Sequence, residues 1–262
     1  MGSETTAHDR RVDAHAPTFD ARDLNVEWLG RVPYAEALAL QQARVEARRR
    51  GACGDALLLL EHPPVITLGR GARPENLLVP REVLAARGVE VHEVARGGDV
   101  TWHGPGQLVG YLVLDLAARG EPDVHAHLRR IEALLIDALA GAGVAAGRRE
   151  GMTGVFVEPG PGDAGPPRKI ASIGVGLRGW VTYHGFALNV CNAPEGFAAI
   201  VPCGLHGVEM TSLRRERPAA ADAEADAALL GRTRALVADA ARRRLARGPR
   251  ARRDLAGAAS IG

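Results

Sequence analysis

The segment Arg96-Gly97-Gly98-Asp99-Val100-Thr101-Trp102-His103-Gly104-Pro105-Gly106-Gln107 lies between two strand-like stretches, residues 89–95 and 108–116. Glycine allows positive φ and lets a second backbone or a ligand come close. A glycine-rich loop that opens into a helix would hold phosphates on the helix N-terminus. This one opens into a strand, which argues against a P-loop and a dinucleotide fingerprint. An ornate turn, punctuated by Gly104-Pro105-Gly106, is the plainer reading. Elsewhere, strand patterns at 26–32, 56–61, 65–68, 153–158, 170–177 and 180–190 mix with helical patterns at 34–50, 80–87, 123–140 and 223–247. The clearest helix carries Val124, Leu128, Ile131, Leu135 and Leu139 on one face. The mixture lacks a strict strand–helix alternation. It predicts an α/β or α+β fold, a mixed sheet flanked by helices.

Composition narrows the function classes. The 262 residues are 46% apolar and 24% charged, with a formal charge of +2 and 4% aromatics. Such a chain forms a globular domain and lacks both the charge and the rings of a dedicated nucleic-acid binder. No apolar run approaches the roughly 20 residues of a bilayer span. The polar N-terminus has no signal-peptide core, which predicts a cytoplasmic protein. No CxxC or HExxH motif occurs, so no metal site is expected. We expect a disordered leader at 1–23, one catalytic domain at 24–247 and a basic, flexible tail at 248–262. Residues 159–168 hold four prolines and three glycines, the mark of an exposed loop.

Of 33 lysines and arginines, Lys169 is the only lysine. Arginine stays protonated, whereas a lysine amine can exchange its proton. Lys169 opens Lys169-Ile170-Ala171-Ser172-Ile173-Gly174, which a hairpin pairs with 183–189. Strict alternation puts Lys169, Ala171 and Ile173 on one face unless a bulge intervenes. The small residues Ala171, Ser172, Gly174, Gly185 and Ala187 leave a groove along the hairpin, or equally a tight sheet.

Three cysteines are too few for a disulfide framework. Cys53 and Cys191 read as small buried thiols. Cys203 follows Pro202 and precedes Gly204, where the chain reverses, and reads as a nucleophile with the Gly204 N–H as an oxyanion donor. A free thiol is only a few per cent thiolate at neutral pH. An ammonium about 4 Å away, at an effective dielectric near 20, interacts with it by roughly 4 kcal/mol. Even halved, that shifts the balance more than tenfold. Lys169 and Cys203 make a coherent pair if the fold brings them together.

The blocks 96–107, 169–174 with 184–189, and Pro202-Cys203-Gly204 with Thr211-Ser212-Leu213 resemble the signature segments of the lipoate-biosynthesis octanoyltransferases. The resemblance runs from about Asn25 to Leu213 and includes Leu60-Glu61-His62-Pro63. It implies the catalytic-domain fold of biotin and lipoate protein ligases. It implies a covalent intermediate on Cys203, activated by Lys169. The acyl group would be held by Arg96, Gly97, Gly98, Asp99, Val100, Thr101, Trp102 and His103, by Ser172, Ile173 and Gly174, and by Gly185, Phe186 and Ala187. The implied donor is octanoyl-acyl carrier protein. The implied acceptors are lipoyl domains of 2-oxoacid dehydrogenase complexes and the glycine cleavage H protein, with no cofactor.

Three rivals stand beside this reading. One is an ATP-dependent lipoate or biotin ligase, which would not need Cys203. Another is a thiol hydrolase using Cys203 with His103, His184 or His206. The third is a binding module for an acyl chain. Arg70, Arg73, Arg96, Arg168 and Arg178 are candidates to steer an acidic carrier, though each reads as well as a solvated arginine.

Overall fold

The computed structural model describes residues 24–160, 165–204, 207–217 and 225–245. The expected leader and tail, four residues of the proline-rich loop, and His206 lie outside them. The described chain runs β1 (Asn25–Arg31), α1 (Tyr34–Arg49), β2 (Ala56–Glu61), β3 (Val65–Leu68), α2 (Arg81–Ala86), β4 (Glu90–Glu93), β5 (Val100–His103) and β6 (Gln107–Val113). It continues through α3 (Val124–Gly141), β7 (Gly147–Arg149), β8 (Met152–Val157), β9 (Arg168–Arg178), β10 (Val181–Asn189), β11 (Glu209–Met210) and α4 (Asp226–Leu245).

The main sheet has the order β1-β2-β6-β10-β9-β8-β7, with β11 paired to β9. Only the β1–β2 and β9–β11 pairings are parallel, so the sheet is mixed as expected. A second sheet, β4-β3-β5, stands beside it. Its strand β5 comes from inside the glycine-rich segment, which is therefore not one continuous loop. The glycines confine themselves to its two ends, while Val100, Thr101, Trp102 and His103 extend and pair with β3.

Strand β2 shows why the sheet is covered on both sides. Its run Ala56–Glu61 is wholly buried. Leu57 and Leu59 join α3 and α4 in one core, whereas Ala56, Leu58 and Leu60 meet Ala37 of α1 in another. Each fully buried leucine contributes about 1.5–3 kcal/mol relative to exposure, so helices on both faces are the stable arrangement. Helix α3 starts at Asp123, whose side chain accepts the Ala126 N–H. Its Ile131, Leu135 and Leu139 face the core as their spacing predicts. In α1 the buried residues are Tyr34, Ala37, Gln41 and Val45. No helix among the described residues is long and apolar enough to cross a membrane.

Candidate active site

A cavity of about 190 Å³ opens over the face of the main sheet that α1 covers. Its floor follows from register. Val109 pairs with Ala187 and Tyr111 with Gly185, while Ala187 pairs with Ser172 and Gly185 with Gly174. The six residues lie in two rows across β6, β10 and β9. Four are small, and the recess exists because they are. A methyl group on Gly174 would sit 2.8 Å from the Gly97 carbonyl oxygen.

Strict alternation would have turned Lys169 away from this floor. Between Val155–Ala171 and Phe156–Lys169 the pairing of β8 with β9 shifts by one extra residue in β9. Ile170 and Ala171 both join the helix-side core in consequence. Lys169 is thereby turned to the face of Ser172 and Gly174, a β-bulge re-aiming a side chain. The expectation that Lys169, Ala171 and Ile173 share a face is corrected accordingly.

Lys169 is 2% exposed. Its Nζ donates to the Thr153 carbonyl at 3.0 Å and lies 3.4 Å from the Cys203 Sγ. Ser172 Oγ is 3.6 Å from the same sulfur. Gly154 makes this placement possible. Its φ is +136°, and a Cβ there would meet Ala171 O and Lys169 Cε at 2.7 Å each. Gly154→Ala is therefore expected to push the amine off the sulfur. We expect at least about tenfold slower turnover and about 1–3 kcal/mol less stability, checked by steady-state rates beside thermal melts.

Cys203 sits at φ +56°, a conformation uncommon outside glycine, on a short turn Pro202–Gly204. The Gly204 N–H is not free to serve as an oxyanion donor, because it donates to Val201 O at 3.0 Å. Asp99 braces this turn. Its Oδ2 accepts Asn76 Nδ2 at 2.5 Å and would lie 2.6 Å from a Cβ on Gly204. Its Oδ1 accepts the Val100 N–H at 2.7 Å and the Arg73 N–H at 3.3 Å. Asn76 and Gly154 stand alone in sequence, in no motif, and only the folded geometry gives them their roles.

The other expected binding residues divide. Arg96, Gly98, Asp99, Val100, Thr101, His103, Ser172, Ile173, Gly174, Gly185, Phe186 and Ala187 line the cavity. The side chains of Ile173 and Phe186, however, belong to the helix-side core. Trp102 does not line it and packs edge-on against Phe197 under the second sheet. Gly97 does not either; its N–H ties this segment to Val175 O at 2.9 Å. Tyr34, Val109, Tyr111, Gly151, Met152, Thr153 and His184 complete the walls.

Five buried polar side chains, those of Arg96, Thr67, His103, Gln107 and Asn189, form a chain of hydrogen bonds. Arg96 Nη2 donates to the Thr67 carbonyl and to Thr67 Oγ1, both at 2.8 Å. Thr67 Oγ1 reaches His103 Nε2 at 3.4 Å, and His103 Nδ1 meets Gln107 Oε1 at 2.8 Å. Gln107 Nε2 donates to Asn189 Oδ1 at 2.9 Å, and Asn189 Nδ2 to Thr211 O at 2.9 Å. A network satisfied in this way rigidifies a site. It also occupies both ring nitrogens of His103, which removes that histidine as a base for hydrolysis. Burial pushes the Cys191 thiol up to about 12, leaving it inert.

Burial also holds four histidines neutral, His103 and His184 near 3 and His62 and His127 near 4. An unfolded histidine titrates near 6.5. Their contribution to stability is full above that pH and declines as pH falls toward the folded values, where only the unfolded chain takes up the protons. Between pH 7.5 and 5.5 the four together are expected to cost roughly 3 kcal/mol, allowing for some water penetration. A urea midpoint that does not fall over that interval would show the histidines already charged in the fold.

Comparison with known proteins bears on the family and the fold. The family model for the lipoyl protein ligase A/B catalytic domain matches residues 33–231. An octanoyltransferase of Acidobacterium capsulatum is 50% identical over 199 residues, covering 74% of this chain and 80% of the relative. One of Geobacter sulfurreducens is 49% identical over 213 residues, covering 81% and 84%. Lipoate-protein ligase A, in a crystal structure with ATP, superposes with a TM-score of 0.58 at 16% identity, covering 84% of this chain and 85% of that one. A putative lipoate protein ligase of Thermoplasma acidophilum gives 0.58 at 15% identity, covering 84% of each. These two likenesses bear on the fold alone. The chain belongs to the lipoyl protein ligase A/B catalytic domain family.

Proposed function

We propose that this protein is an octanoyltransferase that moves an octanoyl group from octanoyl-acyl carrier protein to a lysine of lipoyl domains, the first step of endogenous protein lipoylation. The acceptors would be the lipoyl domains of 2-oxoacid dehydrogenase complexes and the glycine cleavage H protein, in the cytoplasm. The observation that carries the reading is the Lys169 amine 3.4 Å from the Cys203 sulfur, beside a recess floored by small and apolar side chains. The octanoyltransferase relatives at about 50% identity support it.

The reaction has two halves. The Cys203 thiolate attacks the carbonyl of the donor thioester. The carbon–sulfur bond to the carrier breaks, and the departing thiolate takes a proton from Lys169. Neutral Lys169 then accepts a proton from the acceptor lysine as its amine attacks the acyl-cysteine, which releases Cys203 as thiolate. Thioester exchange is nearly balanced and amide formation is downhill, so no ATP enters. Ser172 Oγ, beside the sulfur, is placed to donate to the oxygen that gains charge. The Val109 and Ala187 side chains supply apolar wall for the chain.

Mass spectrometry of the intact protein tests this. Incubation with octanoyl-acyl carrier protein, without ATP, should add one octanoyl mass, and adding a lipoyl domain should remove it. Attachment of free octanoate only with ATP, with no adduct at any time, would replace the proposal by a ligase.

A further inference from the structure

The five arginines that the sequence offers as carrier contacts do not fare alike. Arg96 is buried, with its guanidinium bonded to Thr67 and to the Gly97 carbonyl. Arg168 holds Glu216 through two hydrogen bonds. Arg178 pairs with Glu46 at 2.9 Å. Arg70 and Arg73 remain, both exposed. Neither guanidinium has an ion-pair or hydrogen-bond partner among the described residues.

These two line a second cavity of about 450 Å³, with an apolar surface from Leu68, Leu77 and Val94. Its one carboxylate, Glu93, is neutralised by Arg81 at 2.8 Å. The cavity shares a wall with the site of Cys203. Gly69 abuts Gly98, with room for no side chain between them. The Arg73 N–H donates to Asp99, and the other oxygen of Asp99 lies under Gly204, next to the nucleophile. A concave, apolar-lined cavity with two unneutralised guanidiniums is built for a flexible organic chain that carries an oxyanion with several acceptor oxygens. Guanidinium suits such an anion through paired N–H···O bonds.

We propose that this cavity binds the phosphate ester of the donor's pantetheine arm, while the thioester end of the arm reaches Cys203 over the Gly98–Asp99 wall. This rests on the thioester-donor reading above. A lysine-bearing acceptor has no phosphate near its amine, so the cavity distinguishes donor from acceptor.

The test uses two small donors, octanoyl-4′-phosphopantetheine and its dephosphorylated counterpart octanoyl-pantetheine, with acylation of the full chain read by mass. The ratio of their kcat/KM values should favour the phosphorylated donor about 10- to 100-fold in the wild type. It should fall to near one in an Arg70→Ala/Arg73→Ala variant and persist in Arg178→Ala. A wild-type ratio near one, or a ratio that survives the double substitution, overturns the proposal. Should the double variant lose its circular-dichroism signature of folding, Arg70→Gln and Arg73→Gln singly must each lower the ratio, and unchanged ratios overturn it. Calorimetry with unacylated 4′-phosphopantetheine separates the two readings. Arginine-dependent binding without any acylation removes the thioester reading and keeps this site. Acylation with a ratio near one does the reverse.

Discussion

Cys203→Ala is expected to yield no octanoyl adduct and to slow transfer at least about 10⁴-fold. The loss follows from the covalent route itself. Without the sulfur, the acceptor amine must attack the carrier thioester directly, with no group to hold the acyl chain between partners. The same substitution sorts the rivals. A ligase that activates its substrate with ATP would keep most of its rate. A non-catalytic acyl-binding module would bind the carrier as before. Measurement of initial transfer rates, with melting curves to show that the fold survives, checks the outcome. Alanine at φ +56° bears the same backbone strain as cysteine, so the comparison isolates the thiol.

Lys169→Arg is expected to cost about 10³-fold, within the range for loss of a general acid–base group. Charge is preserved in this variant, so an electrostatic role alone predicts little change. Two features predict otherwise. Guanidinium does not release its proton near neutral pH, which leaves the departing carrier thiolate and the incoming amine without an exchange partner. A planar guanidinium is also bulkier than the slender ammonium stem that packs over Gly154. A pH–rate profile separates the roles. The wild-type limb assigned to proton exchange should vanish in the arginine variant, whereas a variant that merely mispositions the thiolate would keep the limb at a lower rate.

Much of this was legible in the chain. The apolar run of β2 announced a strand, and the spacing in α3 announced its buried stripe, because both patterns are local. The Lys169–Cys203 pairing was also legible, through a single lysine and a cysteine set in a Pro-Gly turn. Four things were not. Strand β5 hid between glycines, since four residues are too few for alternation to stand out. The face of Lys169 depended on how β8 pairs with β9, a long-range register that no window of β9 contains. The fate of the Gly204 N–H was set by its bond to Val201, which only the folded turn reveals. Strand β7, Gly147–Arg149, was missed for a similar reason: its sequence Gly147-Arg148-Arg149 carries no strand pattern, and it is held by its neighbour β8.

The extra residue in β9 has a consequence for how related chains can diverge. Deleting one position between Lys169 and Ser172 would restore regular pleating and, with the two residues then two apart, keep the amine on the hydroxyl's face without the bulge. Adding one while the bulge persists would set the hydroxyl and the amine on opposite sides. A change of length in this short tract must therefore be matched by the gain or loss of the bulge, whereas just upstream of Arg168, where this chain carries its proline-rich insert, it leaves the pleat of β9 untouched. In a set of homologues, gaps should accumulate before that arginine and become rare beyond it.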